Sequence, residues 1–251
     1  MTTDAWIDAL VARHTASLTT AEFNRAVRAL SARYVERRDA LTSRSPIDSA
    51  GKRAAFAAFY APLHFLTIRE IIRALKPPRD PVEIVDLGCG TGTVSAAWSI
   101  ECRGSAAMHG VDRDAWALAE SRWNWSTLDL TGRPTRGDLV RTAETILRGP
   151  KPRRPRAWIA GWSINELESS PRDRLLDVLM SAADAGDSVL VVEPIARSAT
   201  PWWDEWAAAF TASGGRADDW KFDTPLPPPL KAIDDGAGFS RDSLSARSLW
   251  R

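Results

Sequence analysis

The stretch that most constrains this chain is residues 81–93, PVEIVDLGCGTGT. Val82, Ile84, Val85 and Leu87 form a short apolar run, as expected of a strand buried on both faces of a parallel sheet. Gly88-Cys89-Gly90-Thr91-Gly92 follows, and residues 93–100 read as the start of a helix. Strand, glycine turn and helix make the first half of a nucleotide-binding βαβ unit. The glycines let the backbone pass close beneath a ligand, where a Cβ would collide.

The spacing narrows the ligand. A dinucleotide turn reads G-x-G-x-x-G, whereas this one reads G-x-G-x-G with Asp86 two residues ahead of it. A carboxylate there repels a pyrophosphate and suits a cation, such as the sulfonium and ammonium of S-adenosylmethionine. The segment resembles the D/E-x-G-x-G-x-G motif of class I S-adenosylmethionine-dependent methyltransferases. That resemblance implies a doubly wound, Rossmann-like α/β fold with a mostly parallel seven-stranded sheet. It also implies S-adenosylmethionine as cofactor, held around Asp86, Gly88, Cys89, Gly90, Thr91 and Gly92. A glycine-rich turn without a ligand is the plainer alternative.

The 251 residues, 44% of them hydrophobic, suit one large domain with an extension. We expect a helical extension over residues 1–78 and the methyltransferase domain over 79–251. No signal peptide and no run of eighteen apolar residues is visible. Cys89 and Cys102 supply neither a disulfide framework nor a four-thiolate metal site, so no metal is expected, and the cytoplasm is the expected location.

A net charge of +1 conceals an uneven distribution. Residues 1–80 hold 13 Lys/Arg against 8 Asp/Glu, whereas residues 157–251 hold 9 against 15. A basic front could meet RNA, or it is an ordinary set of solvated helix faces.

In the extension, Trp6, Ile7, Leu10 and Val11 form one stripe, and Phe23, Val27, Leu30 and Tyr34 another. Thr19 and Glu22 have capping-box spacing. A polar break, TSRSPIDSAG, precedes a helix over residues 52–76 with a kink expected at Pro62. Tyr60 and His64 flank that kink. They read as a packed aromatic and a solvated histidine, with Tyr60 also a candidate to reach the cofactor.

Beyond the glycine turn, residues 108–111 read as a second strand that ends in Asp112-Arg113-Asp114. An acidic residue about twenty positions past the glycines accepts from ribose hydroxyls in such units, which marks Asp112 unless it is a solvated loop residue. Asp114 suits the N-cap of the next helix. Asp138, after a third strand, resembles the family's acceptor for the adenine amino group, though a turn aspartate looks the same. Arg113 and Gly161 complete the cofactor-side candidates.

A basic, proline-broken run, RGPKPRRPR, enters the fourth strand from its amino end, while ligands sit at carboxyl ends in open α/β sheets. It reads as a solvated loop or a phosphate-binding rim. The fourth strand, residues 157–162, leads into Ser163-Ile164-Asn165-Glu166-Leu167, where the family places groups facing the methyl acceptor. The N-P-P-Y of many amino-group enzymes is absent, and no cysteine stands there as a nucleophile. Asn165 and Glu166 are the catalytic candidates, with Glu166 as general base or orienting acceptor. Ser163 and Glu166 equally have capping-box spacing. The fifth strand, residues 188–192, ends in Glu193-Pro194, and the chain closes on a last antiparallel strand. Trp202, Trp203 and Trp206 read as core, or as a platform for bases.

LSARYVERR, VDLGCGTG, SINEL and VVEPIA also resemble the methyltransferase-like family associated with the ribosomal small subunit. That likeness implies a ribosomal RNA acceptor. Its members carry several cysteines after the E-P segment, often linked to an iron–sulfur cluster, and this chain has none there. A small-molecule methyltransferase and a non-catalytic, cofactor-binding assembly factor are the alternatives. Membrane association is not expected.

Overall fold

The computed structural model describes residues 1–36, 47, 49–103, 106–197 and 200–251, so most of the polar break and the end of LSARYVERR lie outside the described residues. Strands β1 (Glu83–Leu87), β2 (Ala107–Asp112), β3 (Gly132–Arg136), β4 (Ala157–Gly161), β5 (Ser188–Glu193), β6 (Arg216–Phe222) and β7 (Leu244–Trp250) form one sheet in the order β3-β2-β1-β4-β5-β7-β6. The first five pair in parallel, and β7 runs antiparallel between β5 and β6. The order reverses between β1 and β4, which puts the ligand crevice at their carboxyl ends.

Both faces of the central strands are apolar, and successive residues feed opposite cores. Ile84, Ile159, Leu190 and Val192 face one side, while Val85, Trp158, Val189 and Val191 face the other. Helices α5 (Thr93–Glu101) and α6 (Ala115–Thr127) cover the first face. Helices α7 (Leu139–Arg148), α8 (Ser169–Asp184) and α9 (Trp203–Ala212) cover the second. Trp202, Trp203 and Trp206 are 5%, 6% and 1% exposed in that second core, which removes them as a base-stacking platform.

The N-terminal helices α1 (Thr3–Thr15), α2 (Thr20–Glu36), α3 (Ala50–Ala55) and α4 (Ala61–Leu75) pack on the first face and share its core. The Thr19–Glu22 capping box is formed in both directions. At Pro62 the irregularity is a π-helical turn, Phe56–Tyr60, in which the Ala61 N–H reaches back to the Phe56 carbonyl. A wider turn just ahead of the proline absorbs the clash that a proline brings inside a helix. The stretch Ala50–Leu75 is long and apolar enough to cross a membrane, yet 72% of its most apolar window is buried against protein, as in a core helix. Helix α10 (Pro228–Gly236) packs against α1.

The extension is tied to the glycine turn. The Trp6 indole donates to Asn124 Oδ1 at 2.8 Å, and Asn124 Nδ2 donates to the Thr91 carbonyl at 2.9 Å. Alongside, the buried Glu120 receives His14 and the half-exposed Arg13, both at 3.1 Å.

Candidate functional site

The glycine turn is held from below by its neighbours. Gly88 and Cys89 donate to the Val111 carbonyl at the end of β2, at 2.9 and 3.0 Å. Trp125 Nε1 donates to the Gly92 carbonyl at 2.8 Å. The three glycines adopt positive φ, but for different reasons. A Cβ on Gly88 would stand 2.5 Å from Ser163 Cβ, and one on Gly92 would stand 2.6 Å from the Trp125 indole nitrogen. A Cβ on Gly90 would meet nothing within 4 Å. Gly88 and Gly92 are therefore required by protein packing, and Gly90 forms an open cradle. The Cys89 side chain packs toward Gly110, and burial pushes its thiol well above the ordinary range, so it is a packing residue. Thr91 is buried, and its hydroxyl has no partner among the described residues.

Asp86 is 1% exposed. Its Oδ2 accepts from the Ser95 N–H at 3.2 Å, while Oδ1 is buried with no partner among the described residues. Burial, with a contribution from the Asp112 charge, raises this carboxyl to about 7. A lone buried carboxylate oxygen beneath an open glycine cradle fits a cationic ligand, whose charge would offset that desolvation.

Asp112 is fixed by two backbone donors. Its Oδ2 accepts from the Gly90 N–H at 2.9 Å and Oδ1 from the Asp114 N–H at 2.8 Å. Each carboxylate oxygen keeps a second acceptor site, which leaves room for ribose hydroxyls. Asp112→Ala is expected to weaken binding of the adenosyl ligand by about tenfold or more, at roughly 1.5–3 kcal/mol per lost hydrogen bond to a charged group. Calorimetry that gives an unchanged affinity would refute the assignment.

Asp114 caps α6, accepting from Trp116 and Ala117. Asp138 is likewise a cap, on α7, accepting from the Arg141 N–H at 3.0 Å, and it pairs with Arg113. Burial works to raise its carboxyl, but the Arg141 N–H and the Arg113 guanidinium together hold it below the usual range. A capping role thus accounts for Asp138 without adenine, and Arg113 is engaged with it. Gly161 ends β4, and a Cβ there would press on Val94 of α5 at 3.1 Å, so close helix packing explains this glycine. Tyr60 is turned away from the cofactor end: its hydroxyl donates to the Val27 carbonyl of α2 at 3.2 Å.

The segment after β4 is held by several contacts. Trp162 has φ +55°, an uncommon conformation for a bulky side chain that costs about 1–3 kcal/mol. Its ring stacks on His64 from α4, with centroids 3.8 Å apart and planes 5° from parallel. Burial lowers the His64 imidazole to about 3, so it is neutral, and the solvated-histidine expectation gives way to a packed one. The Ser163 hydroxyl donates to the Leu87 carbonyl at 2.8 Å, and the short 3₁₀ turn Ile164–Glu166 has no side-chain cap. The Ser163–Glu166 capping box is therefore absent.

Glu166 is open to solvent but stands where protein atoms crowd it on several sides. That desolvation, together with the nearby Asp112 charge and against Arg113, raises its carboxyl to about 7. Asn165 Oδ1 beside it is buried and has no partner among the described residues. Glu193, at the end of β5, was legible only as the last residue of a strand. It is 0% exposed, and its Oε1 accepts from the Ile164 N–H at 3.0 Å. No group of three or more His, Cys, Asp or Glu suited to a metal ion occurs among the described residues.

Residues 70–148 match the family model of the methyltransferase small domain. A solved structure described as an O-methyltransferase from Nostoc punctiforme PCC 73102 superposes with a TM-score of 0.55 at 13% identity, covering 92% of this chain and 72% of that one. A SAM-dependent methyltransferase from Agrobacterium tumefaciens gives 0.51 at 14% identity, over 76% of this chain and 62% of that one. The chain has the class I methyltransferase fold, and residues 70–148 match a methyltransferase domain within it. The plantazolicin methyltransferase BpumL in complex with SAH matches with a TM-score of 0.46 at 13% identity, over 90% of this chain and 95% of that one. No curated protein matches the sequence. In this fold the glycine turn, Asp86, Asp112, Asn165 and Glu166 all belong to the carboxyl end of the sheet.

Proposed function

We propose that the protein is an S-adenosylmethionine-dependent methyltransferase that acts on the hydroxyl or amine of a small molecule or peptide. The observation that carries this reading is Glu166: an accessible carboxyl raised to about 7, in the loop after β4 and within the field of Asp112. S-adenosylmethionine supplies the electrophilic methyl group. Asp86 and the Gly90 cradle hold its charged end, and Asp112 holds its ribose. Glu166 accepts the proton of the acceptor as that group becomes nucleophilic, and a carboxyl near 7 is poised for this at neutral pH. Asn165 Oδ1 is free to orient an acceptor N–H or O–H. Most of the remaining rate enhancement is positioning.

Acidic groups dominate this end of the sheet: Asp86, Asp112 and Glu166. Arg113, the cation that acts on Glu166, already pairs with Asp138. Such a lining favours neutral or cationic acceptors over a polyphosphate chain. Ribosomal RNA is the second reading, and one observation favours it. A concavity of about 210 Å³ at the opposite rim is lined by Arg79, Lys151, Arg153, Arg154 and Arg156. Only Arg156 of these is paired with a carboxylate among the described residues, by Glu83 at 3.1 Å. RNA could dock there through its phosphates.

Labelled S-adenosylmethionine, offered with metabolite extract, peptide extract and total RNA, separates the readings. Label in the metabolite or peptide fraction supports the first and label in RNA the second; cofactor binding without transfer to any fraction leaves a non-catalytic binding protein. The cofactor itself is tested by calorimetry: S-adenosylmethionine should bind and NAD should not. Binding a cation favours ionised Asp86, so affinity should fall as pH drops below about 7, and Asp86→Asn should remove that dependence. NAD binding in place of S-adenosylmethionine would overturn the reading.

A further inference from the structure

The loop between β4 and α8 leaves the sheet through a tryptophan in a left-handed conformation. Strained backbone persists only where its surroundings over-determine it. Three contacts do so here: the Trp162 N–H on the Val192 carbonyl at 2.8 Å, the Ser163 hydroxyl on the Leu87 carbonyl at 2.8 Å, and the Ile164 N–H on Glu193 Oε1 at 3.0 Å. The first two use backbone acceptors that any sequence supplies. The third needs an acidic or amide side chain at one position, at the end of β5, and that side chain is fully buried.

We propose that Glu193 is the positioning residue of this loop: it holds the Ile164 N–H and so fixes where Glu166, two residues on, stands. It makes no contact with the acceptor or cofactor site of its own. The inference rests on the reading of Glu166 as the proton acceptor, but the position of the loop is measurable without it.

The surroundings explain why a carboxyl at this place works. Helix α8 presents Leu175, Val178, Leu179 and Ala182 to this part of the sheet, and β4 contributes no titratable side chain. The charged groups that face Glu193 are Glu166 from the loop and Arg247, its register partner on β7. The Arg247 guanidinium lies over the Trp203 ring, 4.7 Å from its centroid, with Asp219 beside it at 3.5 Å. Burial raises the Glu193 carboxyl to about 8; the Ile164 and Asn165 N–H groups oppose the rise and the Glu166 charge adds to it. Its Oε1 accepts the Ile164 N–H, while Oε2 is buried with no partner among the described residues.

Glutamine keeps that acceptor, whereas leucine keeps only the bulk. Hydrogen exchange on the full chain, with and without S-adenosylhomocysteine, tests the contact directly. In the wild type, the amides of Trp162 and Ile164 should exchange at least tenfold slower than their unprotected rates. Glu193→Gln should retain that protection, and Glu193→Leu or Glu193→Ala should lose it at Ile164 with β4 still protected. S-adenosylhomocysteine affinity should stay within about threefold in the variants that fold. Once an acceptor is in hand, kcat should fall by tenfold or more in Glu193→Leu and recover in Glu193→Gln, with the cofactor KM unmoved. Unprotected wild-type amides, or equal protection in Glu193→Leu, would overturn the proposal; both arms are independent of methyl transfer. If the apolar variants do not fold, the wild-type exchange rates and the Glu193→Gln comparison still decide it. Failure to find any methylated acceptor would count against Glu166 as a base and leave the exchange result standing.

Discussion

Glu166→Gln is expected to lower turnover by roughly 10²–10⁴-fold while leaving cofactor affinity almost unchanged. Glutamine is close in shape but cannot take a proton. Glu166 lies in the acceptor loop, not in the glycine turn, so cofactor affinity should not depend on its charge. The pH dependence supplies a second signature. A general base acts in its deprotonated form, so the wild-type rate should rise with pH through about 7 and level off above it. In Glu166→Gln that rising limb should vanish from the residual rate. A thermal melt should show little change, because the side chain is open to solvent and caps no helix. Methyl transfer from labelled cofactor at several pH values is the measurement. Turnover equal to wild type, or a rising limb that survives in the variant, would remove Glu166 from the chemistry.

The features legible in the sequence were those set by neighbours along the chain. An apolar run, three glycines and a following helix are local, and β1, the glycine turn and α5 fall where the pattern puts them. The same holds for the Asp114 cap and the Thr19–Glu22 box, whose partners lie within three residues. Ambiguity entered where one local pattern serves two purposes. Ser163 and Glu166 have the spacing of a capping box, but the hydroxyl is drawn to Leu87, 76 residues away. Asp138 follows a glycine at a strand end, as either an adenine acceptor or a cap would. Its pairing with Arg113, 25 residues earlier, arises only once β2 and β3 lie side by side. Tyr60 lies on a helix that could cover the cofactor end of the sheet, and its hydroxyl instead meets the Val27 carbonyl of α2. The His64–Trp162 stack and the Glu193–Ile164 contact had no sequence signal at all. Each joins elements that meet only through the strand order, and a glutamate closing a strand resembles a solvated one until its neighbours are known.

The glycine turn offers a sharper division, since residues two positions apart should fail in opposite ways. Substituting Gly92 is expected to disable folding. Its φ is +74°, and a Cβ would be forced to 2.6 Å from the Trp125 indole nitrogen and 2.8 Å from Ser121 Cβ. Trp125 is 1% exposed and also donates to the Gly92 carbonyl, so it has nowhere to move. Overpacking of this kind costs typically 1–3 kcal/mol, and the positive φ adds about 1 kcal/mol or more. The sum is a large share of a domain's net stability of about 5–15 kcal/mol. Gly90→Ala should behave otherwise. Its φ of +50° lies in the left-handed region that an L-residue enters at about 1–2 kcal/mol, and its Cβ would project into open space. The variant should fold with a melting temperature a few degrees lower. Its Cβ would occupy the cradle where the backbone must approach the ligand, so S-adenosylmethionine affinity should fall a hundredfold or more. Melting curves and calorimetry on Gly90→Ala and Gly92→Ala distinguish these outcomes. If Gly90→Ala folds and binds the cofactor like the wild type, the open space beside Gly90 is not the ligand cradle, and the site assigned around Asp86 and Asp112 falls with it.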